Sequence, residues 1–571
     1  MSEFPWIRSY PNGVHYDRVL TPRPVWQILD EAVARWPDRP ALAFMGKTLT
    51  YRELAAQVAR AAEGFQRLGV KPGVHVGLYL PNTPHYFVSF FGILKAGGTV
   101  VNYSPLDTEK TLAHKIEDSM TDIMVTLDVK ALYPAMGQLL QNTRLRKLVV
   151  GNIAEMSAQP EVVRARMAQA GHTSDVAWDE KHLAFQDLLN GEGRFESYPI
   201  ADLEDAVAVL QYTGGTSGHP KGAMLTHANL TSACSQYLET ARGEPRVLEE
   251  GCERILVALP LFHIYALTVT MLFGMCLGAE MVLLVRFEVE AALETISSKK
   301  ITSFPGVPTM FAAVINHPNV GAYDLSTLKF CGCGGAPLPL EVQQKFERLT
   351  GRHLLEGWGM TETSPSGTFT PHSSGGRAGS CGVPMPGVRL KFMSIEDPSK
   401  EVPLGERGEI CISGPNVMKG YWNNAKATAA SFTEDGFFRT GDVGYMDKDG
   451  FVYIVDRTKD MLVCGGYNVY PRNIEEAIYE HPSVAEVSVI GIHDDYRGQS
   501  PKAFVKLKAG ASEFSLEELK AFLQGRVGKH EMVCALAFRA ELPRTPVGKL
   551  SKKELYEEEA RATQSRRGGN G

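Results

Sequence analysis

Residues 212–222 read YTGGTSGHPKG, a run whose residue types suit the holding of a polyphosphate. Gly214, Gly215 and Gly218 lack a Cβ, so their backbone N–H groups can turn toward a ligand. Successive inward N–H groups make an anion nest, the hydroxyls of Thr213, Thr216 and Ser217 add donors, and Lys221 adds charge. A Gly- and Ser-rich surface loop is the competing account. The apolar run AVAVL at 206–210, just before the loop, favours the cradle, because it places the loop at the end of a buried strand. It is not a Walker loop: the only GKT, at 46–48, has Ala41 where the first glycine belongs. A Gly-x-Gly-x-x-Gly dinucleotide fingerprint is also missing from the loop. The implied chemistry is nucleotide chemistry.

Other side chains suit the same task. Glu362, in GWGMTET, is a carboxylate able to hold Mg²⁺ together with phosphate oxygens. Asp442 follows Thr440-Gly441, and its carboxylate can accept hydrogen bonds from both hydroxyls of a ribose. Lys549 lies in PVGK, where a flexible stem and a point charge can reach a carboxylate and a phosphate together. Taken singly, each has a plainer account: a solvated glutamate, an Asx-turn and an exposed lysine.

The elements that must position these groups alternate. A helix over 50–69 opens with Thr50 as N-cap and Glu53 as its capping-box partner. Strands at 75–80, 98–103, 145–150 and 205–211, with a helix at 84–95, predict a mostly parallel sheet covered by helices. A second α/β run covers about 254–356, with RILVALPL, AEMVLLV and KFCGCG as strands. The apolar stretch at 264–279 reads as a buried helix beside a greasy cavity, too short to span a bilayer. From about 376 to 455, short strands among Gly and Pro predict a small β-barrel or curled sheet. The charged DRTKD at 456–460 interrupts the pattern, and 461–571 reads as a separate α+β domain ending in a frayed tail, SRRGGNG. The expected fold class is therefore a large α/β N-terminal domain over 1–455, built from two α/β subdomains at about 20–375 and the barrel, and a small α+β C-terminal domain.

With 571 residues, the chain is too long for one core. A formal net charge of -6 argues against nucleic acid as a partner. The nine cysteines show no disulfide or zinc spacing, and MSEFPWIRSYPNG is no signal peptide, so a cytoplasmic protein with reduced thiols is expected. A peripheral membrane contact is left open, as are monomer and homodimer.

Eight strings in one order make the chain resemble the AMP-forming adenylating enzymes, and among them the acyl-CoA synthetases, over essentially its whole length. They are YTGGTSGHPKG, LPLFHIY (259–265), GGAP (334–337), GWGMTET (357–363), FRTGD (438–442), DRTKD, GGYNVYP (465–471) and PRTPVGKLSKKEL (543–555). The resemblance implies ATP, Mg²⁺ and coenzyme A as cofactors and substrates, with acyl-AMP as the intermediate. It implies that Gly335, Ala336, Pro337, Trp358, Gly359, Met360, Thr361, Asp442 and Ile454 hold adenine and ribose. Glu362 and Thr216 would serve the metal, and Arg457 would contact ribose or phosphate. Lys549 would act in adenylation, and its acylation would switch the enzyme off. Lys459 would be the hinge about which the C-terminal domain turns to bring Gly465, Gly466 and Tyr467 to the thioester step.

His263 would orient the carboxylate at the mouth of an acyl pocket walled by Ile264, Tyr265, Leu267, Val307 and Pro308. Long-chain members of the family often carry an aromatic gate four residues after the histidine; Leu267 stands there, which leaves medium-chain acids open beside long ones. The opening PWIRSYPNGVHYD resembles ligases of fatty and dicarboxylic acids of the pimeloyl type. Aryl-acid ligases, luciferase-like oxidases and carrier-protein loading remain alternatives within adenylation. A non-catalytic nucleotide- and lipid-binding protein is the alternative from another class.

Overall fold

The computed structural model describes residues 4–18, 20–213, 220–373, 376–464, 467–494, 496–545 and 550–568. Among these, the largest sheet has eight strands in the order Gly420–Tyr421, Lys221–Thr226, Val207–Thr213, Thr99–Asn102, His75–Leu78, Thr121–Leu127, Lys147–Gly151 and His182–Ala184. From Val207–Thr213 onward the neighbours are parallel; the first two strands join antiparallel. Strands such as VVN at 100–102 are buried on successive residues because helices cover both faces of the sheet. The helix Tyr51–Arg67 carries the expected Thr50–Glu53 capping box. Pro84–Lys95 begins on proline, whose missing N–H costs nothing at that position, and is buried along all but its last residue.

The second sheet differs from the expectation. Arg254–Val257 and Glu280–Leu283 are joined by Pro40–Phe44 and Lys47–Thr50, a hairpin from the N-terminal part of the chain. The stretch at 264–279 is helical, but Ala266–Leu272 is a π-helix, so side chains there do not follow a 3.6-residue repeat. The region expected as a barrel contains a four-stranded antiparallel sheet of Arg389–Met393, Gly408–Ser413, Phe438–Met446 and Val452–Arg457. Asp456 and Arg457 of DRTKD belong to its last strand, and only Thr458–Asp460 form the turn.

The C-terminal part has its own apolar core under a sheet of Leu462–Cys464, Tyr467–Val469, Val484–Asp494, Gly498–Leu507 and Ala535–Phe538. Ser515 and Glu518 cap Leu516–Leu523 as expected. The last helix runs Lys553–Gly568, so the first residues of the segment expected to fray have helical backbone. Among the described residues, no helix is long and apolar enough to cross a membrane.

Candidate active site

A cavity of about 1860 Å³ takes in Asn102, Thr213, Cys333 and Glu356, the last residues of four strands. Ligands of open α/β sheets bind beyond such carboxyl ends. The phosphate-loop residues Gly214, Gly215, Thr216, Ser217 and Gly218 lie outside the described residues, as do Gly465, Gly466 and Lys549. Their flanks are described. Thr213 and Lys221 stand opposite each other where two antiparallel strands leave and re-enter the sheet, and both line the cavity. Thr545 and Leu550, which flank residues 546–549 in the chain, line it too.

At the anionic end, Glu362 sits in the short turn Thr361–Thr363 and is 9% exposed. Its Oε1 accepts the Tyr421 hydroxyl hydrogen at 2.7 Å. Lys221 Nζ stands 4.2 Å from the centre of the Tyr421 ring. Burial, followed by the Glu362 charge, pushes the Tyr421 phenol far above its ordinary range, so it is a fixed donor. Strand pairing sets this arrangement: Tyr421 is the Cα partner of Ala223, two residues beyond Lys221. One carboxylate lining the cavity near Lys221 fits Mg²⁺, which is bound by one or two carboxylates plus phosphates. Among the described residues, no cluster of three metal-ligating side chains exists.

Asp442 is 7% exposed, and both its oxygens are engaged. Trp358 Nε1 donates to Oδ2 at 2.7 Å, and Arg457 Nε donates to Oδ1 at 2.8 Å. Asp442 and Arg457 are Cα partners in the ladder, so the sheet register creates the pair. The Asp442 charge holds the Arg457 guanidinium above its usual range. Gly441 has φ +71°, a left-handed conformation that glycine adopts without strain, and its N–H is accepted by Glu409 Oε1 at 3.3 Å.

Gly335, Ala336, Pro337, Gly359, Met360 and Thr361 all line the cavity, as do Ile454 and Asp442. A Cβ on Gly359 would lie 1.8 Å from the Pro365 carbonyl oxygen, so this position requires glycine. Lys459 also lines the cavity, from the turn after Arg457.

On the apolar side stand His263, Ile264, Tyr265, Val307 and Pro308. His263 Nδ1 accepts from the Tyr265 N–H at 3.3 Å, which leaves the proton of a neutral ring on Nε2. Leu267, expected on this wall, is not there. It is fully buried in the main core, and Val269 and Phe273 line the cavity instead. Leu267 N–H donates to the His263 carbonyl at 3.0 Å, one α-helical turn, and its side chain packs in the core; the π-helix that begins at Ala266 carries Val269 to the cavity. Tyr467 is also away from the cavity, 63% exposed, with its ring 5.3 Å from that of His530.

Several site residues carry no local sequence signal. Asn82 donates to the Val257 and Leu259 carbonyls at 3.2 and 2.9 Å and accepts the Leu261 N–H at 2.8 Å, pinning the approach to His263. Tyr86, Asn102 and Gln211 form a buried relay that ends on the Phe262 carbonyl at 2.8 Å. Glu356 lies in the wall beside Trp358, and burial pushes its carboxyl up to about 7, although Arg472 opposes this. Lys552 pairs with Glu475 at 3.0 Å and reaches the same cavity from the C-terminal part.

The AMP-binding enzyme model matches residues 29–422, and the AMP-binding enzyme C-terminal domain model matches 473–549. The chain belongs to the AMP-binding enzyme family. Among curated relatives, it is 38% identical to a long-chain-fatty-acid–CoA ligase of Bacillus subtilis (strain 168) over 564 residues, 98% of each chain. It is 34% identical to the Escherichia coli O6:H1 protein of the same name, covering 97% of this chain and 98% of that one. Among solved structures, it is similar to ATP-bound MatB from Rhodopseudomonas palustris, at 27% identity and a TM-score of 0.81, covering 94% of this chain and 99% of that one. It is also similar to the anthranilate CoA ligase AuaEII in complex with anthranoyl-AMP, at 25% identity and a TM-score of 0.82, covering 94% and 97%. Nearly full-length matches of both kinds give this member of the family the two-part architecture of adenylate-forming ligases.

Proposed function

We propose that the chain is an AMP-forming acyl-CoA synthetase whose acid is a long-chain fatty monocarboxylate. One observation carries the reading: a single cavity joins the Lys221–Glu362 end, the Asp442–Trp358 wall and an apolar wall that begins at His263. The fatty acid's carboxylate attacks the α-phosphate of ATP and pyrophosphate leaves; the thiol of coenzyme A then displaces AMP from acyl-AMP. Glu362 would hold Mg²⁺, which when bound would supply charge neutralisation at the phosphates. Lys221 meets the departing anion, Asp442 accepts from the ribose, and Trp358 and the Gly335–Pro337 wall hold the base.

The near-full-length likeness to long-chain-fatty-acid–CoA ligases supports a fatty acid over an aryl acid. The make-up of the wall supports a methyl end over a carboxylate. Among the described residues, Tyr237, Val247, Leu248, Val269, Phe273 and Phe330 give the wall apolar side chains. The titratable His372, which also lines the cavity, has its Nε2 engaged with the Pro245 carbonyl at 2.7 Å rather than offered to a second carboxylate, which would need a cation. Leu550 and Ser551 beside the nucleotide wall, with Tyr467 exposed, support an adenylate-forming arrangement; a turn about Lys459 would exchange the two. An acyl group on Lys549 would remove its charge and stop the first half-reaction.

Pyrophosphate release and coenzyme A consumption, measured over straight-chain acids and diacids from about six to about eighteen carbons, test the reading. Activity rising toward the long monocarboxylates is expected. Preference for diacids would overturn the methyl-end assignment, and silence with every acid would overturn the enzyme.

A further inference from the structure

The apolar wall of the cavity is braced from outside by the N-terminal segment. The helix His227–Thr240 delivers Tyr237 and Thr240 to the wall, and the chain beyond it delivers Ala241, Val247 and Leu248. Leu248 and Phe273 belong to a small apolar cluster separate from the main core, against which Tyr237, Ala241 and Phe330 pack. A small cluster holds its shape less firmly than the main core, so an external support matters more.

Glu239, next to last in that helix, provides the support. It does not line the cavity and is 1% exposed. His15 N–H donates to Oε1 at 2.8 Å, Arg242 Nη1 donates to Oε2 at 2.8 Å, and Arg18 pairs with Oε2. Glu244 N–H donates to the Asn12 carbonyl at 2.9 Å, and Gly13, at φ +87°, has so little room that a Cβ would lie 2.9 Å from the Arg242 carbonyl oxygen. The far end of the segment is also fixed: Tyr10 donates to the Pro384 carbonyl, and Ser9 donates to the carbonyl of Asp449, between the strands Phe438–Met446 and Val452–Arg457, each at 2.7 Å.

A carboxylate in the last turn of a helix opposes the helix dipole, and this last turn has no basic residue of its own. Burial penalises the charge further. Arg242, just past the helix end, offsets part of this cost, and the remaining partners of Glu239, His15 N–H and Arg18, are present only when residues 15–18 are docked. Docking of the segment and the position of the helix end are thereby tied to one side chain.

Resting on the acyl-CoA synthetase reading, we infer that Glu239 is a specificity-determining positioning residue, which sets the acyl-chain profile by clamping residues 11–18 to the helix end that forms the lipid wall. With the clamp released, the wall yields and the distinction between acids of different length shrinks.

The test compares wild type, Glu239→Gln and Arg18→Gln for pyrophosphate release with ATP and acids of about eight to eighteen carbons. In both variants, the ratio of kcat/KM between the best acid and one four carbons longer is expected to narrow about tenfold, within the range that a methylene or two commands in an apolar pocket. The KM for ATP is expected to stay within about twofold, because Asp442 and Glu362 lie on other elements. Glu239→Asp, which keeps the charge, is expected to recover part of the profile. An unshifted acid profile in both variants overturns the inference, and so does an equal change in the acid and ATP parameters. If Glu239→Gln does not fold, Arg18→Gln decides alone, since its side chain is 41% exposed. A wild-type protein silent with every acid would instead overturn the synthetase reading.

Discussion

Replacing Trp358 by phenylalanine separates two things the indole does. An aromatic face toward the cavity remains, while the N–H that reaches Asp442 Oδ2 at 2.7 Å is lost. That distance lies in the charge-assisted range, and a hydrogen bond to a charged group contributes about 1.5–3 kcal/mol. If the bond holds Asp442 ready for the ribose, nucleotide affinity falls roughly 10- to 150-fold, at about 1.4 kcal/mol per tenfold. The smaller ring of the phenylalanine also weakens stacking, so the single substitution is not decisive. A double-mutant cycle with Asp442→Asn is, because the stacking loss occurs in both arms and cancels. Calorimetric titration with an ATP analogue carrying a methylene bridge between the α- and β-phosphates avoids turnover. The expected coupling is about 1.5–3 kcal/mol, with the double variant worse than Asp442→Asn alone only by the stacking loss. Additivity to within about 0.5 kcal/mol would refute the reasoning, since it would mean that the N–H and the carboxylate act independently.

Lys549→Ala is expected to abolish acyl-AMP formation while sparing conversion of supplied acyl-AMP to acyl-CoA; equal loss of both half-reactions would assign the lysine another role. Tyr421→Phe removes the donor that orients Glu362, and the Mg²⁺ concentration at half-maximal pyrophosphate exchange is expected to rise about tenfold, from a bond worth roughly 1.5–3 kcal/mol. Glu356 gives a pH signature. Burial raises its carboxyl from 4.5 to about 7, so the folded protein binds the extra proton between those values, and the stability this group confers is lost as pH rises through that window. The slope is at most about 1.4 kcal/mol per pH unit; Glu356→Gln is expected to flatten it, as read from denaturant midpoints at about pH 5, 6 and 7.

The nucleotide side of the site was legible in the sequence because short strings build it. Asp442 and Arg457 face each other across one hairpin, fifteen residues apart, so a local motif and a local ladder carry the same information. Thr50 and Glu53, or Ser515 and Glu518, were legible for the same reason: a capping box closes within one turn. The hairpin Pro40–Thr50 was not, since its parallel partner Glu280–Leu283 lies more than two hundred residues away. Asn82 is in the same position. Its fragment reads as a polar break after a strand, and only the fold reveals that it fastens the chain before His263.

The lipid side failed for a further reason. Leu267 stands one α-helical turn beyond His263, closed by its N–H on the His263 carbonyl at 3.0 Å, yet it packs in the core, so its place in the sequence does not settle which wall it joins. The Ala266–Leu272 segment is all buried, so its hydrophobicity has no stripe from which its period could be read. A π-helix and an α-helix of the same apolar residues are indistinguishable in such a pattern, yet they present different side chains to the cavity. Which side chains reach the apolar wall therefore depends on backbone phase, which composition does not encode. It also depends on supports such as Glu239, whose partners His15 and Arg18 lie over two hundred residues away in sequence. For this family member, the reaction is written in contiguous motifs, and the choice of acid in long-range packing.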